Sequence, residues 1–425
     1  MTELSKFAEE IMVEILSRLP PKSLMRFKCV RKSWQCLINN SDFAANHLSV
    51  LKRCKHPSSI TLVFRRVVPE DIHSGRKDVL LSLFDLCHGV DGDDDDDHEL
   101  LSSFEDLQSP LWGFADCHRF CVTIATHCDG ILCLSDSRNY MVLCNPAIKE
   151  FNLLPVPSSH SNSFGDGFGY DLKSKDYKVV RILYNGHDEY EDGMNERGMR
   201  KRVVIRPPTS QVYSVLTRSW KEIKTDDLIS ESTTYWPQSH HSIYCNGILY
   251  WCGRERLVEE HYIVTDFSEH EDDDISGLKE CIISFDIGNE AFHVILAPDD
   301  CNLYNCGFGL WKESSIAFCT NLPWSPYPST KAIREIWVMD DLGGGEGSWT
   351  KYLTFEPEAD HIFFEMGLFW YNKQLVAAFK TEWAVIFQEV CTNKFKRFPL
   401  NAGVMDYSRA VECTMSIVSI NGSRY

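Results

Sequence analysis

The sequence predicts a multidomain α+β protein: a small N-terminal helical module over residues 1–48, a linker over 49–58, and an all-β, propeller-like domain of six blades over 59–425. Three observations carry this expectation. Apolar residues recur at helical spacing across residues 7–43. After His47 the text switches to short alternating runs separated by turn residues. From His127 onward those runs repeat loosely, in units of about forty to fifty residues.

Within the helical stretch, Ile11, Met12, Ile15, Leu16 and Leu19 share one stripe, and Glu9, Glu10, Glu14 and Arg18 fall on the other side. Pro20 stops that helix, and Pro21 sits where a first helical residue does not need its N–H. Leu24, Phe27 and Val30 form the stripe of a second short helix, and Trp34, Leu37 and Ile38 that of a third. Asn39 and Asn40 end it, with Ser41 or Asp42 capping a last short helix toward His47. Helices this short carry more apolar side chains than they can cover for one another, so the module needs support from elsewhere. Periodicity alone fits a helical cap on the larger domain as well as a docking device.

Residues 51–56 read as a basic linker or fraying helix end. SITLVFRRVV and DVLLSLFDL are then strands, and DGDDDDDH repels itself into a solvated loop. No register of that run supplies both the Gly and the Glu of an EF-hand. Five repeat units follow. The first is HCDGILCLSD with NYMVLCNPAIKEFNLLP, and the second FGYDLKSKDYKVVRI with QVYSVLTRSWKEI. The third is HSIYCNGILYWCG with ECIISFDIGNEAFHVILAP, and the fourth GFGLWKESSIAFCTN with EIWVMDD and SWTKYLTF. MGLFWYNKQLVAAF, AVIFQEV and KFKRFPL make the fifth. Their hairpins place a polar turn before an aromatic, as in Arg218-Ser219-Trp220, Glu290-Ala291-Phe292 and Gly347-Ser348-Trp349. Small antiparallel sheets repeated in this way bury their faces against neighbours in a propeller. The strands left over at both ends, SITLVFRR, VLLSLFDL and CTMSIVSI, would share a sixth blade and hide two open edges. Five or seven blades, or another repetitive all-β fold, fit the same text. The insertions at 185–206 and 253–279 are long, charged and unpatterned, and are expected as loops that carry recognition.

With 44% hydrophobic residues in 425, a core of normal size is available. The formal charge of −18 argues against nucleic-acid binding and suits basic partners, although Lys22, Arg26, Lys28, Arg31 and Lys32 form a basic set in the helical module. The 17 cysteines fall in apolar runs such as GILCL, where they act as small hydrophobes in a reduced cytoplasmic or nuclear compartment. Residues 1–10 lack the apolar stretch of a signal peptide, no apolar run reaches the length of a membrane span, and no membrane partner is expected. No serine-nucleophile elbow or P-loop occurs, and GDGFGY lacks the spacing of a dinucleotide loop. The densest soft-ligand group, Cys117, His118, Cys121, His127, Cys128 and Cys133, has no C-x-x-C pair and is assigned to core packing. Neither a catalytic residue nor a cofactor nor a metal is expected.

The run ILSRLPPKSLMRFKCVRKSW resembles the F-box, the segment by which substrate receptors attach to the Skp adaptor of a cullin-based ubiquitin ligase. The phrases NPAIKEFNLLP, GFGYDLKSKDYKVVRI, SWKEI, CIISFDIGNEAFHVILAP and EIWVMDD with SWTKYLTF resemble the plant F-box-associated domain, a kelch- or propeller-like module. Among such proteins the wording is most similar to the pollen S-locus F-box family. By that resemblance Ile11, Ile15, Leu16, Leu19, Pro20, Leu24, Phe27, Val30 and Trp34 contact the adaptor or hold the module's own core. The basic set would then face an acidic adaptor. Where the family usually opens with Leu-Pro this chain has Phe7-Ala8, which removes the Pro start of the first helix.

The resemblance implies a non-catalytic substrate receptor of an SCF-type cullin–RING ubiquitin ligase. Its partners would be a Skp-type adaptor, the cullin, the RING subunit and a target held close to activated ubiquitin. In the S-locus group the target is non-self S-ribonuclease, a basic protein met in the pollen-tube cytosol during self-incompatibility. Candidate contacts to a basic target are Asp188, Glu189, Asp192, Glu271, Asp272, Asp273 and Asp274 in the expected loops, with Tyr235 and Trp236 as aromatic anchors. A different plant target, such as a defence or signalling protein, fits the same role. A propeller enzyme with a helical extension is the third reading.

Overall fold

The computed structural model describes residues 3–53, 59–69, 77–88, 100–107, 123–136, 140–157, 163–191, 200–205, 207–230, 233–238, 241–257, 260–264, 279–299, 301, 303, 306–312, 314–322, 333–339, 348–355, 364–371, 374–380, 384–392, 394–399, 404–405 and 410–420. Four helices come first: α1 (Glu3–Ser17), α2 (Pro21–Phe27), α3 (Lys32–Ile38) and α4 (Ser41–Arg53). Six antiparallel sheets then follow, the arrangement of a six-bladed propeller.

The first sheet joins β1 (Ser59–Pro69), β2 (Lys77–His88) and β3 (Leu100–Leu107), with β28 (Val404–Met405) and β29 (Val411–Glu412) pairing β1 from the far end of the chain. The second runs β4 (Thr123–Cys128), β5 (Ile131–Ser135), β6 (Met141–Asn145), β7 (Glu150–Leu153). In the third, β8 (Ser163–Asp171), β9 (Asp176–Leu183), β12 (Thr209–Ser214) and β13 (Ser219–Ile223) lie in that order. β14 (Thr233–Pro237), β16 (Ile248–Leu257), β18 (Glu280–Asp286) and β19 (Ala291–Leu296) make the fourth, with β15 (Ile243–Cys245) also pairing β16. The fifth holds β20 (Gly307–Trp311), β21 (Ser315–Leu322), β22 (Ile333–Met339) and β23 (Trp349–Phe355). The sixth holds β24 (Phe364–Tyr371), β25 (Gln374–Lys380), β26 (Ala384–Glu389) and β27 (Phe395–Pro399).

Two expectations need correction. The closing strand is not CTMSIVSI: β28 and β29 complete the first sheet, and residues 413–420 run outside any strand. The insertions are not loops throughout either. β10 (Gly186–Glu191), β11 (Arg200–Ile205) and β17 (Glu260–Val264) form a separate three-stranded antiparallel sheet. Two blades contribute to it, because β10 and β11 lie between β9 and β12 whereas β17 lies between β16 and β18. The expected acidic loop at 91–98, and Cys117, His118 and Cys121, lie outside the described residues.

Four hairpins repeat one geometry and account for the turn-then-aromatic pattern. Loops of four residues separate Asn145 from Glu150, Asp171 from Asp176, Ser214 from Ser219, and Asp286 from Ala291. The residue entering each loop accepts a bond from a loop amide: Asn145 from Ala147 at 3.0 Å, Asp171 from Lys173 at 2.8 Å, Ser214 from Thr217 at 3.0 Å and Asp286 from Gly288 at 2.9 Å. The last loop residue is left-handed, with φ of 55° at Lys149, 53° at Lys175, 55° at Arg218 and 54° at Glu290. Two residues later stands Phe151, Tyr177, Trp220 or Phe292, and Tyr213–Trp220 and Phe285–Phe292 pack at 5.1 and 4.7 Å.

The chain separates into two compact units, residues 1–136 with 140–154 and 369–425, and residues 155–368 with 137–139. In the first, Val63, Leu81, Leu83, Ile124, Leu132, Leu134 and Val142 share one core, and Phe84 stacks on Phe387 at 5.7 Å. In the second, Val180, Ile182, Val212, Leu249, Trp251, Ile283 and Phe285 do the same. The glycines of GDGFGY let β8 lie flush on its neighbour: a Cβ on Gly167 would come within 2.7 Å of Trp251, and one on Gly169 within 2.3 Å of Tyr244. An ion network also ties these blades, with Lys178 Nζ 2.9 Å from Asp171 and 3.2 Å from Glu290, and Lys221 Nζ 2.6 Å from Glu290. Burial works to raise the Asp171 pKa. Bonds from Ser174, Lys178 and the Lys173 amide outweigh it and bring the carboxyl down to about 2.

Candidate protein-docking sites

The helical module closes a small core and leaves several apolar side chains in solvent. Pro20 ends α1 and its carbonyl accepts from the Ser23 and Leu24 amides at 2.9 and 3.1 Å, so the chain turns directly into α2. α2 stops at Phe27, which leaves Val30 outside the helix assigned to it from the sequence. Asn40 Oδ1 accepts from the Asp42 and Phe43 amides at 2.7 and 3.1 Å. Asn40, and not Ser41 or Asp42, is therefore the cap of α4. That helix continues through 49–53, the first half of the expected linker.

Leu16, Leu24, Ile38, Phe43 and Ala44 are buried together, flanked by Met12, Val13, Leu19, Phe27, Trp34 and Leu37. Phe27 and Trp34 meet at 5.5 Å. His47 is fully buried, its ring stacked on Phe43 and its Nε2 2.9 Å from the Leu19 carbonyl. Burial lowers its pKa against the opposing effect of that bond. The sequence reading missed this residue, although Phe43, Ala44, His47 and Leu48 follow helical spacing. Ile11 is 45% exposed, Ile15 51% and Val30 64%, and Pro20 beside them is also exposed.

A family model of the F-box domain matches residues 4–46, and one of the F-box associated beta propeller domain matches residues 98–420. The chain belongs to the F-box-associated β-propeller family. Among curated relatives, a putative F-box protein of Arabidopsis thaliana is 26% identical over 82% of this chain and 78% of its own length. An F-box/kelch-repeat protein of the same plant is 26% identical over 83% and 80%, and another putative F-box protein 27% identical over 84% and 80%. Likeness to solved structures is weaker: a chain of a nidogen/laminin complex is 8% identical with a TM-score of 0.40, covering 84% of this chain and 99% of that one.

Within the F-box the nine expected adaptor residues divide. Leu16 and Leu24 are 1% and 0% exposed and hold the module's core, so they are not surface contacts. Leu19, Phe27 and Trp34 are half-buried, and Ile11, Ile15, Pro20 and Val30 are exposed. α1 runs from Glu3 through Phe7-Ala8, so the missing Leu-Pro opening lengthens the helix upstream. The basic set divides too. Lys22 pairs with Glu105 of β3 at 2.5 Å, and Lys28 is half-buried, its pKa lowered by burial and partly restored by Glu150. Arg26, Arg31 and Lys32 remain exposed.

The two aromatic candidates among the expected target contacts are drawn inward. Trp236 is 2% exposed and Tyr235 packs against the core of its unit, so neither is an exposed anchor. Asp188 and Glu189 lie in β10 with Val203 and Arg202 as register partners, and Glu191 faces Arg200. Asp192, Glu271, Asp272, Asp273 and Asp274 lie outside the described residues. For chemistry, the most buried carboxylate among the described residues, Asp166, is spent on Arg181 Nε at 3.0 Å and Ser163 Oγ at 2.6 Å. Among the described residues, no group of three or more His, Cys, Asp or Glu is placed to hold a metal ion. No described helix is long and apolar enough to cross a membrane.

Proposed function

We propose that the chain is a non-catalytic substrate receptor of an SCF-type cullin–RING ubiquitin ligase, holding a Skp-type adaptor with its F-box and a target protein with its propeller. The observation that carries this is the exposure of three apolar side chains that the F-box's own core leaves in solvent, Ile11 and Ile15 one turn apart on α1 and Val30 after α2, while Leu19, Phe27 and Trp34 are half-buried. Exposed Arg26, Arg31 and Lys32 add a positive rim that favours encounter with an acidic adaptor.

For the target side, the β10–β11–β17 sheet is the candidate platform, because it departs from the repeat and is held by two blades. Asp188 and Glu189 reach it on β10, and Asp192 and Glu271–Asp274 follow from the same two insertions. The wording shared with the pollen S-locus group, together with the charge of −18, makes a basic S-ribonuclease in the pollen-tube cytosol the first target reading. A defence or signalling protein is the alternative within the same role.

Reconstitution with purified adaptor, cullin and RING subunit tests the proposal. Wild-type protein should bind the adaptor, and Ile15→Asp or Val30→Asp should weaken that binding at least tenfold while the helical signal stays unchanged. Equal binding by both variants would refute the assigned face. Affinity capture from pollen and from leaf, read by mass spectrometry, separates the ribonuclease from other targets.

A further inference from the structure

We infer that residues 413–420 form a clasp that seats the F-box on the β4–β7 sheet, and that its residues are positioning residues for ubiquitin transfer. The second part rests on the ligase reading above; the first rests on geometry alone. The segment adds no sheet rung beyond a bond from the Cys413 amide to the Thr61 carbonyl at 2.8 Å, yet several of its polar groups pair with side chains of one hairpin end and a carbonyl of the other in a single sheet. Buried Asn145 donates Nδ2 to the carbonyls of Ser416 at 3.2 Å and Val418 at 2.8 Å. Buried Ser416 donates its hydroxyl to the Asp129 carbonyl at 2.5 Å. Glu150 accepts from the Ile420 amide at 3.1 Å and from Ser419 Oγ at 3.0 Å. The segment presses so close to the Asp129-Gly130 turn that a Cβ on Gly130, where φ is +84°, would lie 2.3 Å from the Thr414 carbonyl.

The other side of the clasp belongs to the helices. Ile417 is buried in the F-box core with Leu16, Leu24, Ile38 and Phe43, and Ile148 from the β6–β7 turn packs against the same cluster. Around this apolar plug, two lysines of the helices meet two carboxylates, Lys22 with Glu105 at 2.5 Å and Lys52 with Asp129 at 2.7 Å. Asp129 therefore holds clasp and helix together, taking the Ser416 hydroxyl on its carbonyl and Lys52 on its carboxylate. Such an arrangement fixes the direction in which Ile11, Ile15 and Val30 face, instead of leaving the F-box on a tether, and transfer to a held target depends on that direction.

Ile417→Asp, Asn145→Ala and a chain ending after Glu412 test this, with spin labels carried as non-canonical residues at exposed Asn46 and Tyr140. Wild type should give a narrow label-to-label distance distribution; all three variants should broaden it, and Ile417→Leu should restore it. With the adaptor complex, the variants should bind adaptor within about twofold of wild type yet transfer ubiquitin to target at least fivefold more slowly. A distribution that stays narrow in all three variants overturns the clasp. Broad distributions with unchanged transfer overturn the positioning role and leave the clasp standing. If wild type binds no adaptor, the ligase reading fails while the distance measurement still decides the clasp.

Discussion

The β4–β7 sheet and the β10–β11–β17 sheet are both small and antiparallel, but they use their residues in opposite ways. β5 and β6 are buried at every position, on one side against the first sheet, and the two hairpin ends of their sheet hold the clasp and through it the helices. The inserted sheet sets the acidic strand GHDEYE against the basic strand RKRVVI, with Glu189 opposite Arg202 and Glu191 opposite Arg200. Cross-strand pairs of opposite charge stabilise a sheet modestly, whereas uniform apolar strands need cover on both sides. The contrast teaches where each part's freedom to vary lies. β5 and β6 are constrained by cover at every position, and β10 and β11 carry opposite charges that their register sets against each other.

Four measurements bear on this contrast, the largest expected effect first. Replacing residues 186–205 by a short turn should reduce target capture at least a hundredfold while the main unfolding transition and adaptor binding stay as in wild type. Retained capture would move recognition to the repeat sheets. Leu24→Ala should cost about 2–5 kcal/mol, as expected for a buried large-to-small change, and should melt the F-box helices ahead of the propeller. A loss as small as that of a surface change would mean the F-box core is not what Leu24 holds. Asp171 offers a pH test of the repeat sheets. Its carboxyl sits at about 2 in the folded chain against an ordinary value near 3.8, so its stabilising contribution is complete above about pH 4 and disappears as pH falls through 2. That shift corresponds to about 2 kcal/mol, and Asp171→Asn should flatten the acid limb of urea-unfolding curves by that amount. Lys52→Ala removes a pair whose lysine is largely exposed, and should change stability by less than about 0.5 kcal/mol. A larger loss would show that Asp129 depends on that lysine to hold the clasp.

Much of the repeat architecture was legible because each blade restates it locally. Alternating apolar strands, the polar turn and the aromatic after it all act over short stretches of chain, so five units stand out in the text. The helices were legible by the same logic, down to the Pro20-Pro21 break. What escaped depends on contacts far apart in the chain. β17 finds its place only beside β11, nearly sixty residues earlier, and no local pattern in EHYIV announces that partner. CTMSIVSI alternates as a strand does, yet its carbonyls are taken by Asn145, so periodicity alone misassigned it. Trp236 reads in the sequence as an aromatic anchor for a basic target. β14 carries it inward instead, pairing with the part of β16 that runs into the insertion at 253–279. In the text Ile11, Ile15 and Leu16 share one stripe and Leu24 and Val30 another, and packing alone divides the exposed from the buried within each.

The clasp also orders events during synthesis. Because residues 413–420 come after all six blades, the helices lack Ile417 beneath their core until every sheet behind them has emerged from the ribosome. A nascent chain would thus display that unfilled core while its blades are made, and maturation would be marked by this late segment sliding beneath helices completed hundreds of residues before.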